Sequence, residues 1–348
     1  MSTAIVRNKN PKPRVTVKDL ARDLGMSVST VSRAFHSDAV IARETRDLVL
    51  KRAREIGYSP NPFARSLITK RTRIVGVVVA DITNPFYPEV LTRLTTALRA
   101  IDMNVMLVAA DQSGEVDEAV RLLLNYQPDL AIILAATLSS EAARDCRQAG
   151  TPVIFFNRLS ADGHAFGVTC DNERGGQHIA DYLIDAGHRN LAYVSALADA
   201  STNVARGKGF RRRAVDRGLA DPAVIDAGQF SYHAGYEAAR QLRKLKPMPD
   251  GVFCANDILA IGFLDGVRRE LGLDVPRDIS IVGFDDIEMA HWPSHGLTTI
   301  QQPIEKMLEA TVTLARELAA NASHEPLVQM IEPGAVIERE TTRDRRHD

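Results

Sequence analysis

Residues 16–35 read TVKDLARDLGMSVSTVSRAF, and this stretch decides the fold of the N-terminal part of the chain. Thr16 is a natural helix N-cap, and the apolar residues that follow it recur at helical spacing. Gly25 can adopt the left-handed conformation that ends a helix and allows a tight turn. A second helix begins at Ser27 and turns its apolar residues inward. The stretch therefore predicts a helix-turn-helix.

The outward face of the second helix carries short polar side chains and one arginine. Such groups suit base edges and phosphates in the major groove of DNA. On this face the candidate DNA-contacting residues are Val28, Ser29, Thr30, Ser32 and Arg33. The alternative is a helix pair from an ordinary protein core.

The distribution of charge favours DNA over that alternative. The whole chain holds 43 basic and 44 acidic residues, so its net charge is close to zero. Residues 1–73, however, contain 16 Lys or Arg and 6 Asp or Glu, which leaves 27 basic and 38 acidic residues for the rest. A basic head on an acidic body is typical of a nucleic-acid-binding module joined to a part with another task.

Cysteine usage and hydropathy restrict the class of protein. Cys146, Cys170 and Cys254 are widely spaced and lie in apolar stretches, which predicts buried free thiols. No apolar run is as long as a membrane span, and residues 1–14 are polar and basic, without the apolar region of a signal peptide. We expect a cytoplasmic protein without a membrane partner, with residues 1–14 as a disordered basic tail.

Two further segments follow the helix-turn-helix. Residues 44–56 have a helical apolar pattern, with Leu48 and Val49 on the buried face and Gly57 as the stop. Asn61 can then cap a short helix within the linker 60–73. A helix of that length is mostly unfolded on its own in water, so we expect it to form only against DNA or a partner copy.

From residue 74 onward, β-branched runs alternate with amphipathic helical stretches, which predicts parallel sheets with crossover helices. The expected strands are Ile74–Ala80, Val105–Ala109, Leu130–Ala135, Val153–Phe156, Gly167–Cys170, Leu191–Ser195, Val252–Ala255 and Ser280–Phe284. Polar residues follow most of them, namely Asp81, Asp111, Asn157, Arg158, Asp171, Asn256, Asp257, Asp285 and Asp286. Because ligands bind outside the carboxyl ends of such strands, this set predicts a pocket for a hydroxyl-rich small molecule.

The order of short motifs resembles that of the lac repressor (LacI/GalR) family of bacterial transcription regulators, from Val15 to about Arg339. The matching segments are the helix-turn-helix ending at Arg33, Tyr58–Leu67, Asn84–Phe86, Asp171–Gly176, Gly187–His188, Arg206–Phe210, Ala255–Asp257, Val282–Asp286 and Leu297–Ile300. The resemblance implies a helix-turn-helix head and a two-lobed body like that of periplasmic binding proteins. It also implies a homodimer, in some members a tetramer, on near-palindromic double-stranded operator DNA.

The resemblance assigns DNA-reading roles to particular residues. Val28 and Ser29 correspond to the family's variable base-reading pair, and Val28 favours contact with a thymine methyl group. The residues that would divide between phosphates and bases are Thr16, Ser27, Thr30, Ser32 and Arg33. Ala64 and Leu67 would enter the minor groove, with Leu67 as a wedge between base pairs. The alternative for Leu67 is a core residue of the hinge helix. Asn61 belongs to the same candidate DNA-contacting segment.

The resemblance also assigns effector contacts, and the effector it implies is sugar-like. Arg206 matches the family's effector-contacting arginine, and Asp285 would accept hydrogen bonds from ligand hydroxyls. The weaker candidates are Asp81, Phe86, Arg158, Phe230, Asn256, Asp257 and Trp292, whose aromatic members would stack on a sugar or line the lobe core. Asn157 stands where the family often has Asp, so contacts on that strand are expected to differ.

The implied domains are the head at 15–59, the linker and hinge helix at 60–73, the effector-binding and dimerisation body at 74–340 and a tail at 341–348. The N-lobe would take about 74–171 and 301–330, and the C-lobe about 172–300 and 331–340. We expect a sequence-specific repressor that is controlled by a sugar or sugar acid. The alternatives are a regulator of purine-corepressor type and a DNA-bending protein that needs no ligand.

An enzyme is the rival from another class, because Asp81, Asp171, Asp257 and Asp285 resemble an acid/base or metal-binding set. The chain lacks a Walker loop, a Gly-x-Ser-x-Gly elbow, a His-x-x-x-His pair and a Gly-x-Gly-x-x-Gly loop. We therefore expect no catalysis, no cofactor and no metal.

Overall fold

The computed structural model describes residues 15–35, 39–60, 71–110, 115–159, 166–320 and 325–344. The chain divides into two compact units, residues 1–72 and 73–348. The predicted hinge residues Asn61, Ala64 and Leu67, and the predicted tail 1–14, lie outside the described residues.

In its described residues, the first unit contains three helices, α1 (Val17–Asp23), α2 (Val28–Ala34) and α3 (Arg43–Ile56). Their buried residues form one small core. The edge-to-face contact of Phe35 with Tyr58, at 5.5 Å between ring centroids, closes this core beside α3. One expectation is wrong here, since the side chain of Leu48 is 48% exposed instead of packed in the core.

The ends of these helices explain their lengths. Thr16 caps α1 in a reciprocal capping box with Asp19, and Ser27 caps α2 through the backbone N–H of Thr30. Gly57 ends α3 in the left-handed conformation, with φ of 69°. Ala42 occupies the N-cap position of α3 and provides no side-chain hydrogen bond.

The second unit is built on two parallel sheets. Its strands are β1 (Ile74–Val79), β2 (Asn104–Ala109), β3 (Leu130–Leu134), β4 (Val153–Phe156), β5 (Phe166–Cys170), β6 (Leu191–Ser195), β7 (Ala223–Asp226), β8 (Gly251–Cys254), β9 (Ser280–Val282), β10 (Thr299–Ile300), β11 (Val328–Ile331) and β12 (Val336–Ile337). Its α-helices are α4 (Phe86–Ala100), α5 (Val116–Leu124), α6 (Ser140–Gln148), α7 (Asn172–Asp185), α8 (Ser201–Asp216), α9 (Tyr232–Ala238), α10 (Asp257–Gly266) and α11 (Ile304–Ala319). Shorter helical turns lie at Ala239–Lys244, Val267–Leu271 and Glu288–His291.

Each sheet is the centre of one lobe. The N-lobe sheet has the strand order β11-β5-β4-β3-β1-β2, and the C-lobe sheet has the order β7-β6-β8-β9. Every pairing within these two sheets is parallel. Parallel strands buried on both faces need continuous apolar runs, which explains why β1 and β3 are almost wholly apolar.

The chain passes between the lobes three times. The first passage follows β5, at Asp171, and the second follows β10, before α11. The third separates β11, which completes the N-lobe sheet, from β12, which pairs with β10.

The structure corrects several boundaries. The last predicted strand ends at Val282 instead of Phe284, and Asp285 and Asp286 beyond it have positive φ. The short strands β7, β10, β11 and β12 were not predicted. The predicted tail is also wrong at its start, because Thr341 is buried and its hydroxyl donates to the carbonyl of Ile281 over 2.7 Å.

The predictions about the cysteines and about membrane-spanning helices can be compared with the structure. All three cysteines are free and buried. Among the described segments, no helix has the length and apolar character needed to cross a membrane.

Candidate functional site

The outward face of α2 presents the predicted DNA-contacting residues. Val28, Ser29, Ser32 and Arg33 are exposed and Thr30 is half-buried, whereas Val31 and Ala34 are buried. Val28 is 42% exposed, so its apolar side chain is accessible on this face. This pattern of exposed and buried residues is the one predicted for the second helix.

Hydrogen bonds fix the start of that face. The Ser27 hydroxyl lies 2.9 Å from the Ser29 hydroxyl and 2.8 Å from the Thr30 hydroxyl. Thr16 is similarly engaged, because its hydroxyl donates to Asp19 over 2.7 Å. A first-turn serine cluster at a helix N-terminus can contact phosphate, since backbone N–H groups and the helix dipole also favour anions there. Arg33 lies in the last turn of α2.

In the second unit, Arg206 is the centre of the C-lobe wall of the candidate cleft. It projects from α8 and is only 2% exposed. Its Nε donates to Asn172 Oδ1 over 2.8 Å, its Nη1 donates to the carbonyl of Ala255 over 2.7 Å, and its Nη2 lies 3.3 Å from Asp285. The guanidinium also lies 3.7 Å from the ring centroid of Phe284. Arg206 is therefore held rigidly, with its charge balanced by Asp285.

Glycines allow α8 to approach α7 closely. A Cβ atom at Gly209 would overlap the backbone of Glu173, and one at Gly176 would overlap the backbone of Arg206 itself. Because α7 and α8 pack this closely, the backbone of Arg206 has a fixed position relative to α7. The side chain is thus positioned by backbone contacts and not by its own bonds alone.

Two residues that were predicted to contact the ligand form hydrogen bonds within the protein. Asn256 caps α10 by accepting from the N–H of Leu259 over 3.2 Å. Asp257 is fully buried and accepts from Ile287 N over 3.0 Å and from the Thr299 hydroxyl over 2.5 Å. Burial raises the pKa of Asp257 to about 7, with a further rise from the charge of Asp285.

Asp285 is more available than Asp257 for a ligand. It accepts from Gln302 Nε2 over 2.7 Å and faces Arg206, and it is also buried. Burial raises the pKa of Asp285, while the charge of Arg206 opposes this rise. Its φ of 129° shows that the backbone is held in an uncommon conformation at this site.

The N-lobe wall is formed where β1 and β4 end. Asp81 follows β1 and accepts from the Thr83 hydroxyl over 3.1 Å. Burial raises the pKa of Asp81, and the nearby charge of Arg158 partly lowers it. Asn157 follows β4 with φ of 70°, and its Nδ2 donates to the Tyr87 hydroxyl over 3.2 Å.

A hydrogen-bonded chain joins the two walls. The Thr169 hydroxyl donates to the carbonyl of Asn157 over 2.7 Å and accepts from Asn172 Nδ2 over 3.2 Å. Asn172 then accepts from Arg206, which faces Asp285. The sequence did not identify Thr169, Asn172, Tyr87 or Gln302, because each of them also bonds a residue that lies 12 or more positions away along the chain.

Unpaired polar atoms mark the same region. Asn157 Oδ1, Arg158 Nε, Arg206 Nη2 and Gln302 Oε1 are buried and have no hydrogen-bond partner. Buried polar groups are nearly always hydrogen-bonded, since leaving one unpaired costs about 1–3 kcal/mol. The four atoms include both donors and acceptors, which together suit the hydroxyl and carbonyl groups of a polar ligand.

The aromatic candidates divide into three kinds. Phe86 is buried in the lobe core and packs edge-to-face against Tyr87 at 5.2 Å. Phe230 is half-buried, and the Arg158 guanidinium lies 5.1 Å from its ring centroid. Trp292 is 44% exposed and stacks on His295 at 6.0 Å. Of these three, only Phe230 has a contact that links it to the polar walls.

The acidic residues of the cleft do not resemble a metal centre. Within the described ranges, no group of three or more His, Cys, Asp or Glu side chains is arranged to hold a metal ion. The carboxylates of Asp257 and Asp285 are instead engaged by hydroxyl, amide and guanidinium groups. This geometry suits ligand binding.

Comparisons with known proteins agree with both units. The model for bacterial regulatory proteins of the lacI family matches residues 16–61, and the model for a periplasmic binding protein-like domain matches residues 180–342. Catabolite control protein A of Priestia megaterium is 31% identical over 296 residues, which cover 83% of this chain and 88% of that protein. The transcriptional repressor CytR of Escherichia coli K12 is 30% identical over 300 residues, 86% of this chain and 88% of that protein.

Solved structures give the same fold. A lac repressor dimer bound to operator and an anti-inducer has a TM-score of 0.82 at 23% identity, covering 95% of this chain and 99% of that one. The transcriptional regulator CelR in complex with cellobiose has a TM-score of 0.71 at 26% identity, covering 94% and 100%. A regulator from Enterococcus faecium with bound ribose has a TM-score of 0.69 at 28% identity, covering 78% and 99%. The chain therefore belongs to the lacI family of bacterial regulatory proteins.

Proposed function

We propose that this protein is a repressor that binds a near-palindromic operator as a homodimer and releases it when a small polyhydroxylated effector enters the cleft. The observation that carries the proposal is the set of four buried polar atoms without a hydrogen-bond partner on the two walls of the body. A protein that only bent DNA would have no use for such a cleft. Relatives named as repressors, and solved relatives with cellobiose or ribose, support the same conclusion.

For the DNA contact, we propose that the exposed face of α2 reads the major groove. Val28 and Ser29 would contact bases, while Thr16, Ser27, Thr30, Ser32 and Arg33 would divide between phosphates and bases. Asn61, Ala64 and Leu67 would form the hinge segment at the minor groove, with Leu67 inserted between central base pairs. Two copies related by a two-fold axis would bind the two operator halves.

For the effector, we propose that Arg206 and Asp285 bind hydroxyl groups from the C-lobe while Asp81, Asn157 and Arg158 bind from the N-lobe. Phe230 would pack against the apolar side of the ligand. Asn256, Asp257 and Phe86 would support these side chains. Trp292 remains a candidate for an outer contact. The protein would act by binding and not by catalysis, in the cytoplasm where its DNA lies.

For the control of DNA binding, we propose that effector binding changes the angle between the lobes and so the spacing of the two hinge segments. A ligand can shift operator affinity only by its difference in affinity for the two conformations, typically about 1–3 kcal/mol, or 5- to 150-fold. We therefore expect a correct effector to weaken operator binding within that range.

The proposal is tested by measuring operator binding at fixed salt, with DNA from upstream of the protein's own and neighbouring genes. Titration with neutral sugars, sugar acids and purines should identify a compound that shifts affinity at least several-fold. Specific binding that no ligand changes would favour the ligand-independent alternative. Tighter binding with a purine would support a corepressor, and absence of specific binding would contradict the proposal.

Variants separate the two activities. Leu67→Ala should weaken operator binding and leave ligand affinity intact, whereas Arg206→Lys should weaken the ligand response and leave operator binding intact. Arg33→Ala should weaken operator binding and reduce its salt dependence by about one phosphate contact. Arg212→Ala, an exposed charge on α8 of the body, is the matched control. Equal loss of both activities in the Leu67 and Arg206 variants would contradict the division of roles.

A further inference from the structure

Arg158 differs from the other arginine of the cleft in its charge balance. Arg206 has Asp285 as an ion-pair partner at 3.3 Å, but Arg158 forms no ion pair within 4.0 Å in the described part of the chain. Its side chain is nevertheless only 8% exposed. Among the described residues, the charge of Arg158 is only partly balanced, through its longer-range interaction with Asp81. A buried charge of this kind is unfavourable, so the position is better suited to a complex that contains an anion.

The hydrogen bonds of Arg158 leave one edge of the guanidinium free. Nη1 donates to the carbonyl of Ala135 over 2.5 Å, which fixes the plane of the group. Nε is buried without a partner, and Nη2 makes no hydrogen bond to the described residues. The N–H groups of Nε and Nη2 point in parallel, and this edge fits the two oxygens of a carboxylate.

The contacts of Arg158 also place this edge between the lobes. The residue follows β4 of the N-lobe, while its guanidinium lies over Phe230 of the C-lobe at 5.1 Å. The next residue, Leu159, donates its backbone N–H to the hydroxyl of Ser201 on α8 over 3.0 Å. A ligand bound at this edge would therefore contact a part of the N-lobe that already touches the C-lobe.

Neighbouring acidic groups limit the charge of such a ligand. Asp81 after β1 interacts electrostatically with Arg158, and Tyr87 on α4 lies in the field of Asp81, Arg158 and Asp285. A single negative charge on the ligand would balance Arg158. A phosphate, with nearly two charges at neutral pH, would be repelled by the two aspartates.

We propose that the effector is a small polyhydroxylated monocarboxylate, a sugar acid, whose carboxylate binds the Nε and Nη2 edge of Arg158 while its hydroxyls bind Asp81, Arg206 and Asp285. This inference rests on the proposed function, since it names the ligand class of the same cleft. It also assigns Arg158 as the residue that distinguishes acids from neutral sugars.

The test is calorimetric titration of the full chain with matched acid and neutral pairs. The pairs are D-gluconate with D-glucitol, D-galactonate with galactitol, D-glucuronate with D-glucose and D-galacturonate with D-galactose, and gluconate 6-phosphate is the phosphorylated probe. Sodium chloride equalises ionic strength, because added salt alone weakens DNA binding in the parallel operator assay. We expect at least one acid to bind roughly 10- to 100-fold more tightly than its neutral partner, as a charge-assisted pair provides.

Variants assign this preference to Arg158. In Arg158→Gln the acid and neutral affinities should converge to within about 3-fold, and Arg158→Lys should restore part of the difference, because it keeps the charge and loses the planar edge. Arg212→Gln is the control and should keep the full difference. Circular dichroism and the melting temperature establish that each variant is folded before titration.

Several results would overturn the inference. They are a neutral sugar that binds as tightly as its acid, stronger binding of the phosphorylated probe, an acid preference that survives in Arg158→Gln, and a panel in which no acid binds. Operator release by a neutral sugar or a nucleoside would in each case leave the proposed function standing. Loss of operator binding itself would instead contradict the proposed function.

Discussion

Removal of the Arg206 side-chain charge should destabilise the body strongly, and the structure allows an estimate of the size. Arg206→Met keeps a side chain of similar length, but it removes the bonds to Asn172 and Ala255 and the charge beside Asp285. Removing one partner of a buried ion pair costs about 3–5 kcal/mol, because the remaining charge is left buried and unpaired. This is a large fraction of the roughly 5–15 kcal/mol that stabilises a typical domain.

The assay is urea unfolding at pH 7, followed by tryptophan fluorescence. The chain has one tryptophan, Trp292, which follows β9 in the same lobe as Arg206. With a denaturant slope of about 3 kcal/mol per M, the midpoint should fall by about 1–1.7 M urea. The loss should be smaller at pH 5, because the unpaired Asp285 carboxyl then takes up a proton more readily.

A double variant tests the cause. Asp285→Asn in the Arg206→Met background leaves no unpaired charge and keeps an oxygen that can accept from Gln302. It should recover about 2 kcal/mol or more of the loss, because removal of both charges avoids the unpaired carboxylate. A midpoint shift below about 0.3 M in the single variant, or a double variant no more stable than the single one, would refute the assignment of Arg206 as a paired buried charge.

Other predictions concern stability and pH. Ala42→Ser should cap α3 and slow amide hydrogen exchange in that helix, consistent with a gain of about 1 kcal/mol, and unchanged exchange would contradict this. Gly209→Ala should lower the free energy of unfolding by about 1–3 kcal/mol or more, since its Cβ would overlap the backbone of Glu173. The control is Gly218→Ala, at a site with open space around the glycine, where only the positive φ should lower the free energy of unfolding. Because burial raises the folded-state pKa of Asp257 to about 7, its protonated form favours folding below about pH 4 and this contribution is lost as the pH rises to about 7. Asp257→Asn should therefore flatten the fall in unfolding free energy between pH 5 and pH 8, and an unchanged slope in urea titrations would count against the assignment.

The head could be predicted almost completely from the sequence, because its information is local. The caps at Thr16 and Ser27 and the stop at Gly57 act on residues within one helical turn. Among the helices that the structure describes in the head, only the buried face of α3 was misjudged, at Leu48. A helical pattern fixes which residues share a face, but the width of the buried stripe depends on what packs against it.

The cleft was predicted less completely, because a polar residue after a strand has two common uses. Asn256 and Asp257 were expected to meet a ligand, yet they cap α10 and hold the backbone near Ile287. Asp285 and Arg158 stand in the same sequence context, but Asp285 faces Arg206 and Arg158 keeps a buried Nε without a hydrogen-bond partner. The network through Thr169 and Asn172 was missed because its bonds to Asn157 and Arg206 depend on how β4, β5, α7 and α8 meet in space.

The short strands β11 and β12 are synthesised long after the helices of the head, and this order affects how the two units fold during translation. The helices of the head are complete once residue 60 has left the ribosome, whereas both lobes wait for residues 328–337 to supply an edge strand and a pairing strand. At about 5–20 residues per second, that delay is roughly 15–60 s. During translation the nascent chain thus carries a finished DNA-reading head before either lobe can close, and a frameshift late in the gene would leave both lobes unfinished together.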